Sequence, residues 1–305
     1  MNGIIEYDQK LKSLPKVLLI HQSSQRKKYW NIIFIFTSIY YIAITIIGLH
    51  LWPPKTKDII MIFVYYIRLE FFVSISVMFS SYFSLYQLEY RFEMLNHSWK
   101  YLLPGFLTNL GELTHSITEM TLDKLRLLHA ELSDLLRIFS EGYGQILLGY
   151  FVFTYIDMLL SLYFSINVTP KVEVYNFTNL VKKCLPYIFQ IQNVILVLSI
   201  IIAASRVHEK KRKMISHVRL IRISNLSANL KIQLKMFVNQ ISVLESSEIT
   251  AFGIFSINLN LVITILVLLL TGLLTIIQMK EHPIMLKIDR NTKNFLRNIS
   301  YITND

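Results

Sequence analysis

Five polar residues near the C-terminus recur on one helical face. Asn260, Thr264, Thr271, Thr275 and Gln278 fall within an arc of about 60° on a helical wheel, and almost everything between them is Leu, Ile or Val. Ordered side-chain oxygens and amides of this kind suit the lining of a pore, where they replace the hydration shell of an ion. The same stripe suits hydrogen bonding between packed helices, and Thr readily satisfies its own helix backbone. A second polar set lies inside apolar blocks: Tyr65, Arg68, Tyr155, Asp157, Gln190 and Asn193. Charged and polar groups in hydrocarbon cost energy, so they face a cavity, a pore or a partner helix. Here they are candidates either for contacts with a small molecule or for pairing between helices, Arg68 with Asp157. Bond-making chemistry has no comparable signal. GxGxxG, P-loop, GxSxG and HExxH patterns are missing, and the eight His are scattered. The single cysteine, Cys184, excludes an internal disulfide framework, a zinc finger and a CxxC redox site. The expectation is a non-enzyme with no cofactor and no metal site.

The elements that must position these residues are membrane helices. The chain has 305 residues, 53% hydrophobic and only 17% charged, with a mean hydropathy of +0.45. A span needs about 20 mostly apolar residues, and five blocks qualify: 29–51, 59–86, 144–166, 184–205 and 252–279. The fold class expected is all-α, a polytopic helical membrane protein. The alternating period of a membrane β-barrel is missing. The first block is too long for a signal-peptide core, so it reads as an uncleaved anchor.

Cytoplasmic loops carry the excess of Lys and Arg. Segments 1–28, 87–143 and 206–251 hold twenty, against ten in the alternate set. That places the N-terminus in the cytoplasm and the tail 280–305 outside the cell. The sequons at Asn176 and Asn298 fall on the outer side and are the candidate glycosylation sites, whereas those at Asn96 and Asn225 fall inside. The run Lys210–Lys213 reads as the basic flank of a span, with anionic lipid as its partner, rather than as a nucleic-acid site.

The two larger cytoplasmic segments are patterned as helices. Leu125, Leu128, Leu132, Leu135, Leu136 and Phe139 recur at three- and four-residue spacing, with Thr121 as the expected N-cap. Leu230, Leu234, Phe237, Val238 and Ile241 repeat the pattern in 206–251. Such helices extend the membrane helices into the cytoplasm, and their apolar faces need a partner.

One family carries similar motifs in the same order. Thr271-Gly-Leu-Leu-Thr-Ile-Ile-Gln278-Met279 resembles the C-terminal signature of insect gustatory receptors: Thr-Tyr, five hydrophobic residues, then Gln-Phe. Gly272 stands for the Tyr and Met279 for the Phe. Ala251-Phe-Gly253-Ile-Phe255 resembles the entry to the same helix. His129, Leu132, Gly144 and Tyr163 follow the family's habit of a cytoplasmic helix leading into a span, and Arg91-Phe92 with Leu95-Asn96 looks like the start of a cytoplasmic loop. The resemblance covers roughly residues 29–279. It implies a chemosensory ligand-gated cation channel of the plasma membrane, a homo- or hetero-tetramer with other chemoreceptor subunits. Small-molecule tastants would enter a pocket among the helices from the outer side. Thr264, Thr271, Thr275 and Gln278 would line the pore. The family has seven spans; matched from the C-terminus, the five blocks are its last five, so the first two are expected to be missing. The alternatives are a nonfunctional or regulatory fragment of such a receptor, and a G-protein-coupled chemoreceptor, which the charge count disfavours.

Overall fold

The computed structural model describes residues 2–12, 23–51, 69–107, 112–167, 177–219, 228–245 and 248–280. These residues form seven helices and one hairpin. The helices are α1 (Asn2–Lys12), α2 (Ser23–Leu51), α3 (Leu69–Leu107), α4 (Glu112–Asn167), α5 (Phe177–Arg219), α6 (Ala228–Glu245) and α7 (Leu259–Lys280). Strands β1 (Thr250–Ala251) and β2 (Phe255–Ser256) pair antiparallel just before α7. Three stretches are long and apolar enough to cross a membrane: Met120–Tyr163 within α4, Tyr187–Val218 within α5 and Leu259–Met279 in α7. Ile32–Ile47 of α2 is a shorter apolar helix. The block at 59–68 lies outside the described residues.

Helices α4 and α5 outrun any bilayer. At a rise of 1.5 Å per residue, the 56 residues of α4 reach about 84 Å, nearly three times a hydrocarbon core of about 30 Å. The segment before Gly144 carries Asp123, Lys124, Arg126, Glu131, Asp134 and Arg137, so it is the part outside the hydrocarbon. The chain forms two compact units, residues 1–150 with 196–259 and residues 151–195 with 260–305.

The core of the first unit follows the leucine periodicity. Leu125, Leu128, Leu132, Leu136 and Phe139 of α4 are buried, as are Leu230, Leu234, Phe237 and Ile241 of α6. Trp99 of α3 stacks on Phe237 at 5.0 Å with the rings nearly parallel, and His129 of α4 meets the same Phe237 edge-on at 5.5 Å. One aromatic column therefore joins α3, α6 and α4. Such contacts contribute about 0.5–1.5 kcal/mol each beyond burial.

Several expectations need correction. Thr121 is no N-cap: α4 begins nine residues earlier, at Glu112, and Thr121 is buried inside it. The helix then runs through Gly142 and Gly144 into the apolar block, as the leucine pattern implied, because tertiary packing outweighs a propensity cost of about 1 kcal/mol per glycine. Residues 252–258 of the last apolar block form a hairpin and its exit, so the helix itself starts at Leu259. The basic N-terminal segment holds an ordered helix, α1. Its Asp8 receives two hydrogen bonds from Arg91 of α3, Nε to Oδ1 at 3.0 Å and Nη2 to Oδ2 at 2.7 Å. Lys10 pairs with Glu131 of α4, and Tyr7 is buried, which pushes its phenol above the ordinary range.

Candidate functional site

The polar stripe lies on the outside of its own chain, as do most apolar side chains of α7, Ile263, Leu266, Leu270 and Leu274 among them. Asn260, Thr264, Thr271, Thr275 and Gln278 are all exposed. The most enclosed side chains of α7 are Leu261 and Leu269, each 9% exposed, and they lie about 70° and 150° round the helix from the middle of the stripe. Three threonines close onto their own backbone. Thr264 donates to the Asn260 carbonyl at 3.2 Å, Thr271 to the Val267 carbonyl at 2.9 Å, and Thr275 to the Thr271 carbonyl at 2.8 Å. A hydroxyl that has given up its hydrogen keeps its acceptor lone pairs. The stripe therefore presents oxygens with acceptor capacity from an otherwise apolar helix.

Within the second unit, α4 seats against α7 through Tyr155. Its hydroxyl donates to the Leu268 carbonyl at 3.1 Å. A Cβ on Gly272 would come within 2.9 Å of that hydroxyl and 3.2 Å of a Leu159 methyl. The glycine that departs from the Thr-Tyr signature thus has a local cause: the space a side chain would need is taken by Tyr155. Asn193 of α5 donates to Asp157 of α4 at 2.6 Å, and Gln190 sits half-buried one turn before Asn193. The structure brings Asp157 and Asn193 together, and puts Tyr155 on α7. Tyr65, Arg68, Asn176 and Asn298 lie outside the described residues, so the Arg68–Asp157 pair does too.

In the first unit, the hairpin before α7 is clamped to α4. Residues 251–254 form its turn, closed by Ile254 N–H to the Ala251 carbonyl at 3.1 Å. Both central residues have positive φ, Phe252 at 53° and Gly253 at 70°, the pattern of a type I′ turn. Gly253 takes this conformation freely, whereas a non-glycine residue there costs roughly 1–2 kcal/mol. The clamp supplies compensation. Thr250 N–H donates to Ser140 Oγ at 3.0 Å, and Ser140 Oγ lies 3.2 Å from the Thr250 carbonyl and 3.1 Å from its hydroxyl. Gly144, one turn further along α4, lets the hairpin approach: a Cβ there would be 2.7 Å from the Phe252 nitrogen.

Sequence reasoning missed this hairpin and the role of the basic run. Lys211 is buried and donates to the Leu244 carbonyl at 2.7 Å. It caps the C-terminal end of α6, where carbonyls are orphaned and the helix dipole is negative. Lys210 pairs with Glu93 and Lys213 with Glu209, so much of the run serves the fold. Asn96 is enclosed and donates to the Lys210 carbonyl at 2.8 Å, which makes its sequon structural. His129 is fully enclosed. Burial, with the nearby Lys211 charge, lowers its pKa to about 4.

Long apolar helices, extended by packed polar ones and carrying ordered polar groups, define a polytopic helical membrane protein. The chain belongs to the 7tm chemosensory receptor family, whose model matches residues 1–282. No curated protein matches it. It is accordingly a membrane-embedded protein of a chemoreceptor family, not of an enzyme family.

Proposed function

We propose that this chain is a subunit of a ligand-gated cation channel responding to small-molecule tastants, with α7 lining the pore. The observation that carries the reading is the outward polar stripe of α7. Most of α7 is exposed, its apolar side chains as well as the stripe, so the helix is incomplete in a single chain, and a ring of copies, four as the family resemblance implies, would turn the polar faces onto a common axis. Thr264, Thr271, Thr275 and Gln278 supply oxygens to a passing cation. Tyr155, Asp157, Gln190 and Asn193 contribute to the ligand pocket. Tyr155 supports coupling, because one side chain both belongs to that set and bonds the pore helix. A ligand opens the channel only as far as it binds the open arrangement better than the closed one.

The orientation follows the charge count: plasma membrane, N-terminus cytoplasmic, C-terminus extracellular, with glycans at Asn176 and Asn298. Whole-cell recording of Gln278→Ala, alone and with other chemoreceptor subunits, tests the pore. A shifted reversal potential under asymmetric cations is expected, and unchanged selectivity removes Gln278 from the lining. Glycan mapping of Asn298 tests the orientation separately.

A further inference from the structure

An apolar groove runs between α2 and α3 in the first unit, away from every residue assigned above. It encloses about 640 Å³, and its walls are Phe34 and Ile42 of α2, Phe72, Phe79 and Phe83 of α3, and Tyr143 of α4. Phe34 and Phe79 meet edge-on at 6.2 Å and close its floor. Phe34 is 64% exposed and Phe72 58%, so the groove opens on the surface of the chain. Seven lining residues carry a hydroxyl, and three of these are closed onto their own helix backbone. Thr37 donates to the Ile33 carbonyl and Ser38 to the Phe34 carbonyl, both at 2.9 Å, and Ser80 donates to the Val77 carbonyl at 3.1 Å. A pocket that orients a small polar molecule needs a few groups aimed into it. This one spends three of its hydroxyls on its own helices.

We infer that the groove holds an acyl chain of an anionic phospholipid from the cytoplasmic leaflet. Three features select this occupant. The first is length. From Phe72 to Ser84 the α3 wall spans twelve residues, about 18 Å, and the α2 wall from Phe34 to Ile42 about 12 Å. One leaflet of a hydrocarbon core of about 30 Å is about 15 Å deep. The second is chemistry, an aromatic and aliphatic lining that opens sideways. The third is charge. Helix α2 carries Arg26, Lys27 and Lys28 just before its apolar stretch. Lys27 precedes Phe34 by seven residues in the sequence. A basic run in the sequence just before an apolar wall complements a headgroup phosphate. The inner-leaflet assignment rests on the orientation proposed above.

The test uses the full chain in nanodiscs of phosphatidylcholine and phosphatidylserine, the latter with a diazirine in its acyl chain. After photolysis, adducts are located by peptide mass spectrometry. Adducts concentrated in 34–42 and 72–84 are expected. Ser76→Trp, which fills the groove, should abolish them, whereas Val73→Trp on the exposed flank of the same helix should not. Lys27→Ala should reduce the preference for phosphatidylserine over phosphatidylcholine by about fivefold, equivalent to about 1 kcal/mol. Adducts spread evenly over α7 and the groove alike, or unaffected by Ser76→Trp, would overturn the proposal. So would a disulfide-linked dimer formed through Ser38→Cys, because a second copy would then occupy the groove. Both membrane faces are open in a nanodisc, so groove labelling survives a reversed topology. The orientation is read independently, from protease access to the N-terminus in sealed vesicles.

Discussion

Gly144→Ala should loosen the hairpin that leads into α7, and the structure gives the size of the effect. The added Cβ would stand 2.7 Å from the Phe252 nitrogen, 3.2 Å from its Cα and 3.4 Å from the Thr250 carbonyl oxygen. All three are backbone atoms, so no side chain can swing aside. Restoring ordinary contact moves the hairpin away by about 0.7 Å, and overpacking of this kind costs about 1–3 kcal/mol. The Thr250 N–H to Ser140 Oγ bond, now 3.0 Å, would stretch to about 3.7 Å, beyond a useful hydrogen bond. Alanine returns up to about 1 kcal/mol through helix propensity, so the expected net loss is about 1–2 kcal/mol. Gly142 is the internal control, on the same helix, where an added Cβ would meet nothing within 4 Å. Gly142→Ala should stabilise by up to about 1 kcal/mol. The two variants, melted in the same detergent and followed by tryptophan fluorescence, should differ by roughly 2–12 °C at about 2–4 °C per kcal/mol. If they melt together, the hairpin is not seated on Gly144 and the clamp reasoning fails.

Asp8→Ala should release α1, because it strips a half-exposed carboxylate from an Arg91 side chain only 4% exposed. Discounted for that exposure, the loss is about 1–3 kcal/mol, read as faster amide exchange over residues 2–12. His129 should make stability fall as pH drops. Its folded pKa of about 4 lies below the usual 6.5, so the unfolded chain binds the extra proton between those values. The loss is absent above about pH 6.5, grows by up to about 1.4 kcal/mol per pH unit on the way down and is complete below about pH 4; His129→Leu should flatten this component in paired denaturation curves. Tyr155→Phe removes the bond to the Leu268 carbonyl, about 0.5–1.5 kcal/mol, and should shift the half-maximal ligand concentration by up to about tenfold in recordings. Thr271→Val keeps the shape and removes the oxygen, and should lower single-channel conductance; an unaltered conductance would place Thr271 in lipid.

What the sequence made legible was whatever repeats. The leucine spacing of α4 and α6 marked their buried faces because a helix has one period and a core selects it. The stripe of α7 was visible for the same reason, although its exposure does not set it apart from the apolar side chains of the same helix. What does not repeat stayed hidden. The hairpin has two residues in each strand and is held by Ser140, more than a hundred positions away, so no local pattern encodes it. Lys211 reads like its basic neighbours, and only the end of α6 above it makes it a cap. Helix α1 carries Tyr7 and Leu11 one turn apart, an i, i+4 pair that was available as a signal, but the surrounding charges masked it.

The members of the stripe are not equivalent. Asn260 and Gln278 are eighteen residues apart, about 27 Å along the helix, close to the full thickness of a hydrocarbon core. Their amides are therefore spaced to reach the two membrane boundaries, where water and headgroups would satisfy them without a pore. Thr264, Thr271 and Thr275 lie between, and their hydrogens are already donated to the backbone. In lipid such hydroxyls cost little, so their presence alone decides nothing. Their alignment is what needs a reason, because self-satisfied threonines facing lipid have no cause to share a register with each other and with both terminal amides. An aligned row of acceptors suits a permeating cation, and across the gap of about 10 Å between Thr264 and Thr271 such an ion would keep part of its water shell. The middle of the stripe, rather than its polar ends, is therefore where substitution separates a conducting helix from one that merely tolerates its threonines.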